Sequence, residues 1–200
     1  MSSRPDLSFS VLTADEIEQA LADLARLRIA VFADWPYLYD GDADYEARYL
    51  RKFAASPGAV VVAARDGNGG MVGAATAAPL SDHAAEFAAP FAQNGLDPGD
   101  FFYLAESVLL PAYRGQGAGR AFFALREAAG RAQGFEKAVF ASVIRPDDHP
   151  ARPADYVALN GFWQRLGYAP YPGLQVEFSW RDQGETQESV KPLQIWGRDL

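Results

Sequence analysis

Ile17, Leu21, Leu24, Leu27 and Ile29 recur at helical spacing up to Phe32, so one face of this segment is apolar and the other polar. The run opens on "TADE", where Thr13 is placed to accept the N–H of Glu16 and Glu16 to reach back, a capping box that marks a helix start. A short strand, Phe9–Leu12, precedes it. "ADYEARYLRKF", residues 43–53, predicts a second short helix. Between the two lies "FADWPYLYDGD", rich in aromatics and acids and broken by Pro36 and Gly41.

The pattern then loses its helical period. "AVVVAARD", Ala59–Asp66, is a continuous apolar run that predicts a buried strand, "GNGG" a turn, and "MVGAATAAPL" the partner strand, so 59–80 should be a hairpin. "SDHAAEFAAPFAQNGL" predicts a helix with an irregular end, interrupted near Pro90. "FFYLAESVLL", 101–110, predicts a strand of ten residues, "AGRAFFALREAAGRAQ" an amphipathic helix and "KAVFASVI" a further strand. After the loop "RPDDHPARP", "ADYVALNGFWQRLGY" predicts a helix ending near Gly167. "LQVEFSW" and "PLQIWGRDL" read as closing strands around a polar connection, 182–190. The order is β, α, α, β, β, α, β, α, β, α, β, β. No linker divides it, so one mixed α/β domain over residues 1–200 is expected.

Composition narrows the chemistry. Half the residues are hydrophobic (49%), enough for a sizeable core. Against 26 acidic residues stand 18 basic ones, a net charge of −8, which argues against a nucleic-acid-binding protein. The local exception is Arg114, Arg120, Arg126 and Arg131. The absence of cysteine removes disulfides, thiolate metal sites and a cysteine nucleophile together. Two histidines cannot build a three-histidine zinc site, so no metal is expected. No apolar run approaches the ~20 residues of a membrane span, and "MSSRPDLSFS" has no signal-peptide core. A soluble, cytoplasmic protein without a membrane partner is the expectation.

The densest chemistry lies in "ESVLLPAYRGQGAGR", residues 106–120. A helix N-terminus has unpaired N–H groups and a partial positive charge, and binds phosphate where side chains leave the backbone open. Gly115, Gly117 and Gly119 leave it open, and Arg114 and Arg120 add charge. "GQGAGR" fits neither the dinucleotide fingerprint nor the nucleoside triphosphate loop.

Strand, proline, "YRGQGAG", amphipathic helix, strand, loop, then a helix with "FWQRLGY" resembles the GCN5-related N-acetyltransferase (GNAT) family over roughly 60–180. Its signature, Arg/Gln-x-x-Gly-x-Gly/Ala, is matched by Arg114, Gly117 and Gly119. The resemblance implies a mostly antiparallel sheet of six to seven strands, split at a V-shaped cleft and flanked by about four helices. It implies acetyl-coenzyme A as cosubstrate, its pyrophosphate on Arg114, Gly115, Gln116, Gly117, Ala118 and Gly119, with Arg120 flanking. The pantetheine arm would pair with Ser107, Val108 and Leu109, and an N–H of Val108 or Leu109 would polarise the thioester. Pro111 would mark where the strands part. Glu106 stands where many members carry an acid, and a carboxylate there can take the proton of an attacking ammonium.

The chain departs from the family at its usual tyrosine acid, where Trp163 stands; an indole N–H donates a hydrogen bond but no proton at neutral pH. Tyr156, at the position of the family's asparagine, is the first alternative acid and Tyr168 the second. Asn160 is placed to take over the pantetheine contact, and Trp163 to pack on the cofactor. The acceptor side would comprise "FADWPYLYDGD" and "IRPDDHPARPADY". Their carboxylates and aromatics suit a cationic amine, Arg145 and Arg152 suit an acceptor carboxylate, and His149 is an auxiliary base candidate. The implied function is acetyl transfer to an amine of a small molecule or peptide by direct attack in a ternary complex. A silent coenzyme A-binding sensor, a hydroxyl acceptor and a longer acyl donor remain alternatives. The closing strand offers a dimer edge.

Overall fold

In the computed structural model, which describes residues 6–83 and 85–200, the elements in chain order are β1 (Ser8–Val11), α1 (Ala14–Phe32), α2 (Ala43–Ala54), β2 (Val60–Arg65), β3 (Met71–Pro79), α3 (Ala85–Gln93), β4 (Phe101–Tyr103), β5 (Ser107–Leu109), α4 (Ala118–Ala132), β6 (Lys137–Val143), α5 (Asn160–Arg165), β7 (Ala169–Trp180) and β8 (Ser189–Asp199). They form an eight-stranded sheet of order β1-β2-β3-β4-β6-β8-β7, with β5 also paired to β3. The pairings are antiparallel except β4 with β6.

The hairpin at 59–80 lies inside this sheet, between β1 and β4, and its surroundings explain its apolar run. Val60, Val62 and Ala64 face a core shared with Phe122 and Phe123 of α4. Val61 and Ala63 face the opposite core, with Ile17, Leu24 and Leu27 of α1 and Leu50 and Phe53 of α2. Side chains alternate across a strand, so a strand covered by helices on both faces reads as continuously hydrophobic. A third core joins Phe87 and Phe91 of α3 to Phe101, Leu174, Val176 and Ile195. At the start of α1, Thr13 and Glu16 exchange the bonds of a full capping box.

The expected ten-residue strand is broken. Ala75 of β3 pairs with Ser107, but Ala78 pairs with Tyr103, so one side carries a residue more than the other. Thr76 absorbs the excess. It donates its N–H to Glu106 (3.0 Å), accepts from Ala105 at its carbonyl (3.0 Å), and accepts the Glu106 N–H at its hydroxyl (3.3 Å). This is a β-bulge, which bends the strand that carries it. The strands part here, just after the last rung from Leu104 N–H to Val139 carbonyl (2.8 Å). Pro111 is not at the parting; it lies beyond β5, in a short 3₁₀ turn over Pro111–Tyr113.

Three further expectations change. Pro90 does not interrupt its helix; it lies inside α3. The helix expected over 154–168 is only Asn160–Arg165. Val157 is 81% exposed and Leu159 53%, so 154–159 has no apolar surface to pack against, and a short helix without packing does not hold. β8 lies between β6 and β7, so the closing strand is no free edge; β1 and β7 are the edges. Among the described residues no helix is long and apolar enough to cross a membrane.

One half-buried histidine ties stability to pH. The His83 ring lies 4.7 Å from Tyr103 and 5.0 Å from Phe87. Burial, with Arg28 and Lys52 adding to it, depresses its pKa to about 4. The unfolded chain takes up this proton near pH ~6.5, so below that the unfolded state binds more protons and stability falls until about pH 4. Urea midpoints from pH 7 down to 4.5 should show a loss of about 2 to 3 kcal/mol from this site. The loss should be absent in His83→Phe; an equal loss there would place its source elsewhere.

Candidate active site

The parted strands open a cleft of about 1500 Å³, walled by β5 and the turn after it on one side, and by β6, Phe162, Trp163 and Trp196 on the other. The end of α1 and the segment 152–160 close its far side.

Backbone polarity is what the walls offer. Thr76 N–H donates to Glu106 and Leu110 N–H to Val72, so the even-numbered residues of this strand bond to β3. Antiparallel alternation then turns the N–H and C=O of Ser107 and Leu109 into the cleft. On the facing wall Ile144 N–H donates to Pro192, which turns even residues to β8 and leaves Ala141 and Val143 facing the cleft. Two unpaired edges therefore confront one another. Val108 belongs to neither: it bonds to β3 and packs its side chain into the core beneath α1. The expectation that it contacts a pantetheine arm fails for that reason.

The turn at the end of β5's wall is shaped by glycine. Gly115 has φ 75° and Gly117, the N-cap of α4, φ 87°, the left-handed region that costs other residues ~1–2 kcal/mol. A Cβ on either would meet nothing within 4 Å; the space above them is open. No N–H from Gly115 to Arg120 is bonded to another described residue. Gly119 serves the packing instead. A Cβ there would come within 3.0 Å of the Phe162 ring, so its small size lets α5 close on α4. Arg114 donates to the Leu109 carbonyl (3.3 Å) and stands 3.9 Å from Asp34 across the cleft. Arg120 and Asn160 are exposed. Six free N–H groups, a helix N-terminus and two arginines make a site that fits a diphosphate.

The Glu106 side chain points through the sheet toward α1 and α2. There Arg28 donates to both Glu106 and the fully buried Glu46, and the Tyr49 hydroxyl lies 3.4 Å from Glu106. Burial works against the Arg28 charge, but Tyr49 and Glu46 more than offset it and its pKa is raised. Two carboxyl groups share one guanidinium beside the cleft.

On the opposite face of the bulge sits Arg126, 1% exposed. It donates to the carbonyls of Thr76 and Glu106 (both 3.1 Å), to Ser107 Oγ (2.8 Å) and to Phe122 (3.1 Å). Sequence reading took Arg126 as part of a basic stretch and missed Arg28 and Glu46. The signal was available: Phe122, Arg126 and Gly130, like Glu46, Leu50 and Phe53, recur at helical spacing on buried stripes, where a charge needs a reason.

The remaining candidates divide. Trp163 lines the cleft, its ring 5.0 Å from Phe140 and 5.1 Å from Trp196. Tyr168 is buried and donates to Glu127 (3.0 Å); burial and that carboxylate push its pKa far up, so it is a core residue and no proton donor. Tyr156 is off the helix that was to align it with Trp163. It stands at the far wall, 5.9 Å from Trp35, with Arg152 at 5.5 Å from its ring, and burial raises its pKa. It packs beside Trp35 and Arg152 rather than on α5. Trp35 also meets His149 (5.0 Å). Arg152 pairs with Asp147.

Arg145 is not available to an acceptor. Its guanidinium is spent on the carbonyls of Pro36 (2.9 Å) and Tyr37 (2.8 Å) and on Asp182 (2.7 and 2.9 Å). Buried Lys191 adds a second cation 3.1 Å from Asp182. Burial opposes the Asp182 charge, yet the bonds from Arg145 and Lys191 hold its carboxyl below the usual range. The network fastens the α1–α2 loop to the β7–β8 hairpin.

Comparison with known proteins agrees with this geometry. The model of the acetyltransferase (GNAT) family matches residues 24–168. A search of curated protein sequences gave no match. Among solved structures, a protein of Acinetobacter baylyi described as an acetyltransferase aligns with TM-score 0.65 at 15% identity, over 100% of this chain and 95% of its own. A GCN5-related N-acetyltransferase from Kribbella flavida aligns with TM-score 0.59 at 19% identity, over 97% and 98%. A Salmonella typhimurium protein solved with its cofactor acetyl-CoA aligns with TM-score 0.58 at 14% identity, over 98% and 94%. At these identities the likeness is one of fold.

Replacing Arg145 by Met leaves Asp182 buried with half its partners gone. Chemical denaturation should show a loss of about 3 kcal/mol, while calorimetry shows acetyl-coenzyme A affinity kept within about twofold, since Arg145 holds the α1–α2 loop and not the glycine turn before α4.

Proposed function

The chain belongs to the GNAT family of acetyltransferases, and from that premise we propose that it moves the acetyl group of acetyl-coenzyme A directly onto an amine of a small molecule or peptide, with residues 1–200 working as one domain. The run of unpartnered N–H groups from Gly115 to Arg120 carries the reading. It receives the diphosphate, with Arg114 and Arg120 beside it, while the pantetheine arm lies between the cleft-facing backbones of Ser107 and Leu109 and those of Ala141 and Val143. The cosubstrate supplies an activated acyl carbon; the protein supplies its place and the proton transfers. Asn160 and Trp163 line the arm on the α5 side.

The acceptor enters from the wall of Asp34, Trp35 and Tyr156, whose aromatic faces and carboxylate suit a cation. Glu106 takes its proton, directly or through water. Its tie to Arg28 holds it in place beside the cleft. The neutral nitrogen then attacks the thioester carbonyl, whose oxygen faces an N–H of Ser107 or Leu109. With no cysteine in the chain, the commonest acyl-enzyme route is closed, which supports a ternary complex.

A second reading, a coenzyme A-binding sensor, draws on Trp163 and on Tyr168 turned into the core, which leave the family's proton donor without a replacement. Thiol release over a panel of primary amines separates the two: tight binding with no release for any amine or peptide favours the sensor.

Glu106→Gln should lower turnover by about 10²-fold or more and leave the acetyl-coenzyme A Kd unchanged by calorimetry; unaltered turnover would move the base elsewhere. Gly117→Ala places a Cβ at φ 87°, a cost of ~1–2 kcal/mol, and should weaken acetyl-coenzyme A binding about tenfold or more with less effect on turnover at saturation.

A further inference from the structure

Arg126 is among the largest fully buried side chains of the protein, and no described carboxylate forms an ion pair with it. All its acceptors are neutral: three carbonyls and a serine hydroxyl. Of its five N–H donors, one on the nitrogen that meets Ser107 has no described partner. The guanidinium lies 5.1 Å from the centre of the Phe123 ring. Phe123 continues through Phe140 to Trp163, so the surroundings are apolar and poorly screening. Burial lowers its pKa to about 10, still charged at neutral pH.

Holding the bulge does not require a charge. A neutral amide or a bound water can donate to carbonyls without the cost of burying a cation. An unpaired cation in the cleft wall is stabilised by whatever negative charge arises there. Glu106 does not provide it, since its carboxylate is on the other face of the sheet, bonded to Arg28. Glu127, next to Arg126 on α4, is engaged by Tyr168 and stands 3.7 Å from Arg198.

Acetyl transfer generates the missing charge. As the C–N bond forms, the carbonyl oxygen becomes an oxyanion. When the intermediate collapses, the C–S bond breaks and sulfur keeps its electron pair. The first ammonium proton has gone to Glu106, the second leaves the acylated nitrogen for water as the intermediate collapses, and no acid stands in the tyrosine's place to protonate the sulfur. We propose that Arg126 supplies the positive charge against which coenzyme A leaves as a thiolate, taking over electrostatically what a proton donor does elsewhere in the family. The inference rests on coenzyme A occupying this cleft. Arg126 thus serves twice, since its Nη1 fixes the bulge and its charge lowers the free energy of the leaving group.

The test is a titration of coenzyme A thiol on the protein, followed by the ultraviolet absorbance of its thiolate, with S-methyl-coenzyme A as the blank. On the wild-type protein the bound thiol should ionise at least tenfold more readily than free thiol. Arg126→Lys should keep most of this shift. Arg126→Gln, which keeps an amide donor for the bulge carbonyls but no charge, should lose it while binding coenzyme A within about threefold by calorimetry, a split that a merely structural role would not produce. No shift on the wild-type protein overturns the inference whether or not Arg126→Gln folds, and so does an equal shift in Arg126→Gln. Calorimetry that shows no coenzyme A binding at all is a separate result, and overturns the cradle reading with it.

Discussion

β3 has three backbone steps between Ala75 and Ala78, and the strand beside it has four between Tyr103 and Ser107. That mismatch cannot be spread along a ladder of fixed spacing; it must collect at one place, and it collects at Ala105 and Glu106. Thr76 takes up the extra groups from one face, and Arg126 clamps the carbonyls of Thr76 and Glu106 from the other. The bend releases β5 from β6, and the cleft is the space so released. Each cleft wall then shows the unpaired half of its own backbone, and the glycine turn before α4 stands at the end of one wall because the chain leaves β5 there. A cation pins the distortion and the Glu106 side chain emerges from it on the opposite face, so the covalent continuity of one strand places Arg126 and the Glu106 carboxyl on two sides of a single peptide.

The far side of the cleft is built differently. It consists of loops, and loops need anchors if they are to hold one shape. Here the anchor is electrostatic. Asp182, Arg145 and Lys191 hold Pro36 and Tyr37 to the far hairpin, and Trp180 donates to the same Tyr37 carbonyl (2.9 Å). Buried ionic networks contribute little net stability compared with packed apolar groups, but losing one member is costly. That asymmetry suits a position that must be right more than it must be strong.

Much of this was legible in the sequence because local chemistry decided it. Thr13 and Glu16 announce α1 by a reciprocal hydrogen bond, a long apolar run around "GNGG" announces the 59–80 hairpin, and Gly115 and Gly117 announce the left-handed turn before α4. What escaped was decided at a distance. The bulge depends on register against β3, and nothing in "FFYLAESVLL" itself records the number of residues opposite. The missing turns of the last helix depend on the lack of a surface beneath Val157 and Leu159. Arg145 looked free because its partners, Pro36, Tyr37 and Asp182, are remote in sequence. Arg126, Arg28 and Glu46 could have been found, since charges in phase with an apolar stripe are out of place unless something meets them.

The position of β8 between β6 and β7 also bears on how the chain assembles. Ribosomes deliver β7 first, and it has no partner in the sheet until residues 189–199 emerge and insert. Until then the outer edge of β6 is bare, and the segment Ala169–Trp180 has α3 to pack on but no strand to bond to. A nascent chain that stalls short of residues 189–199 would therefore expose two unsatisfied strand edges at once, an invitation to pair with another chain. Quality control, more than catalysis, would feel a nonsense codon placed there.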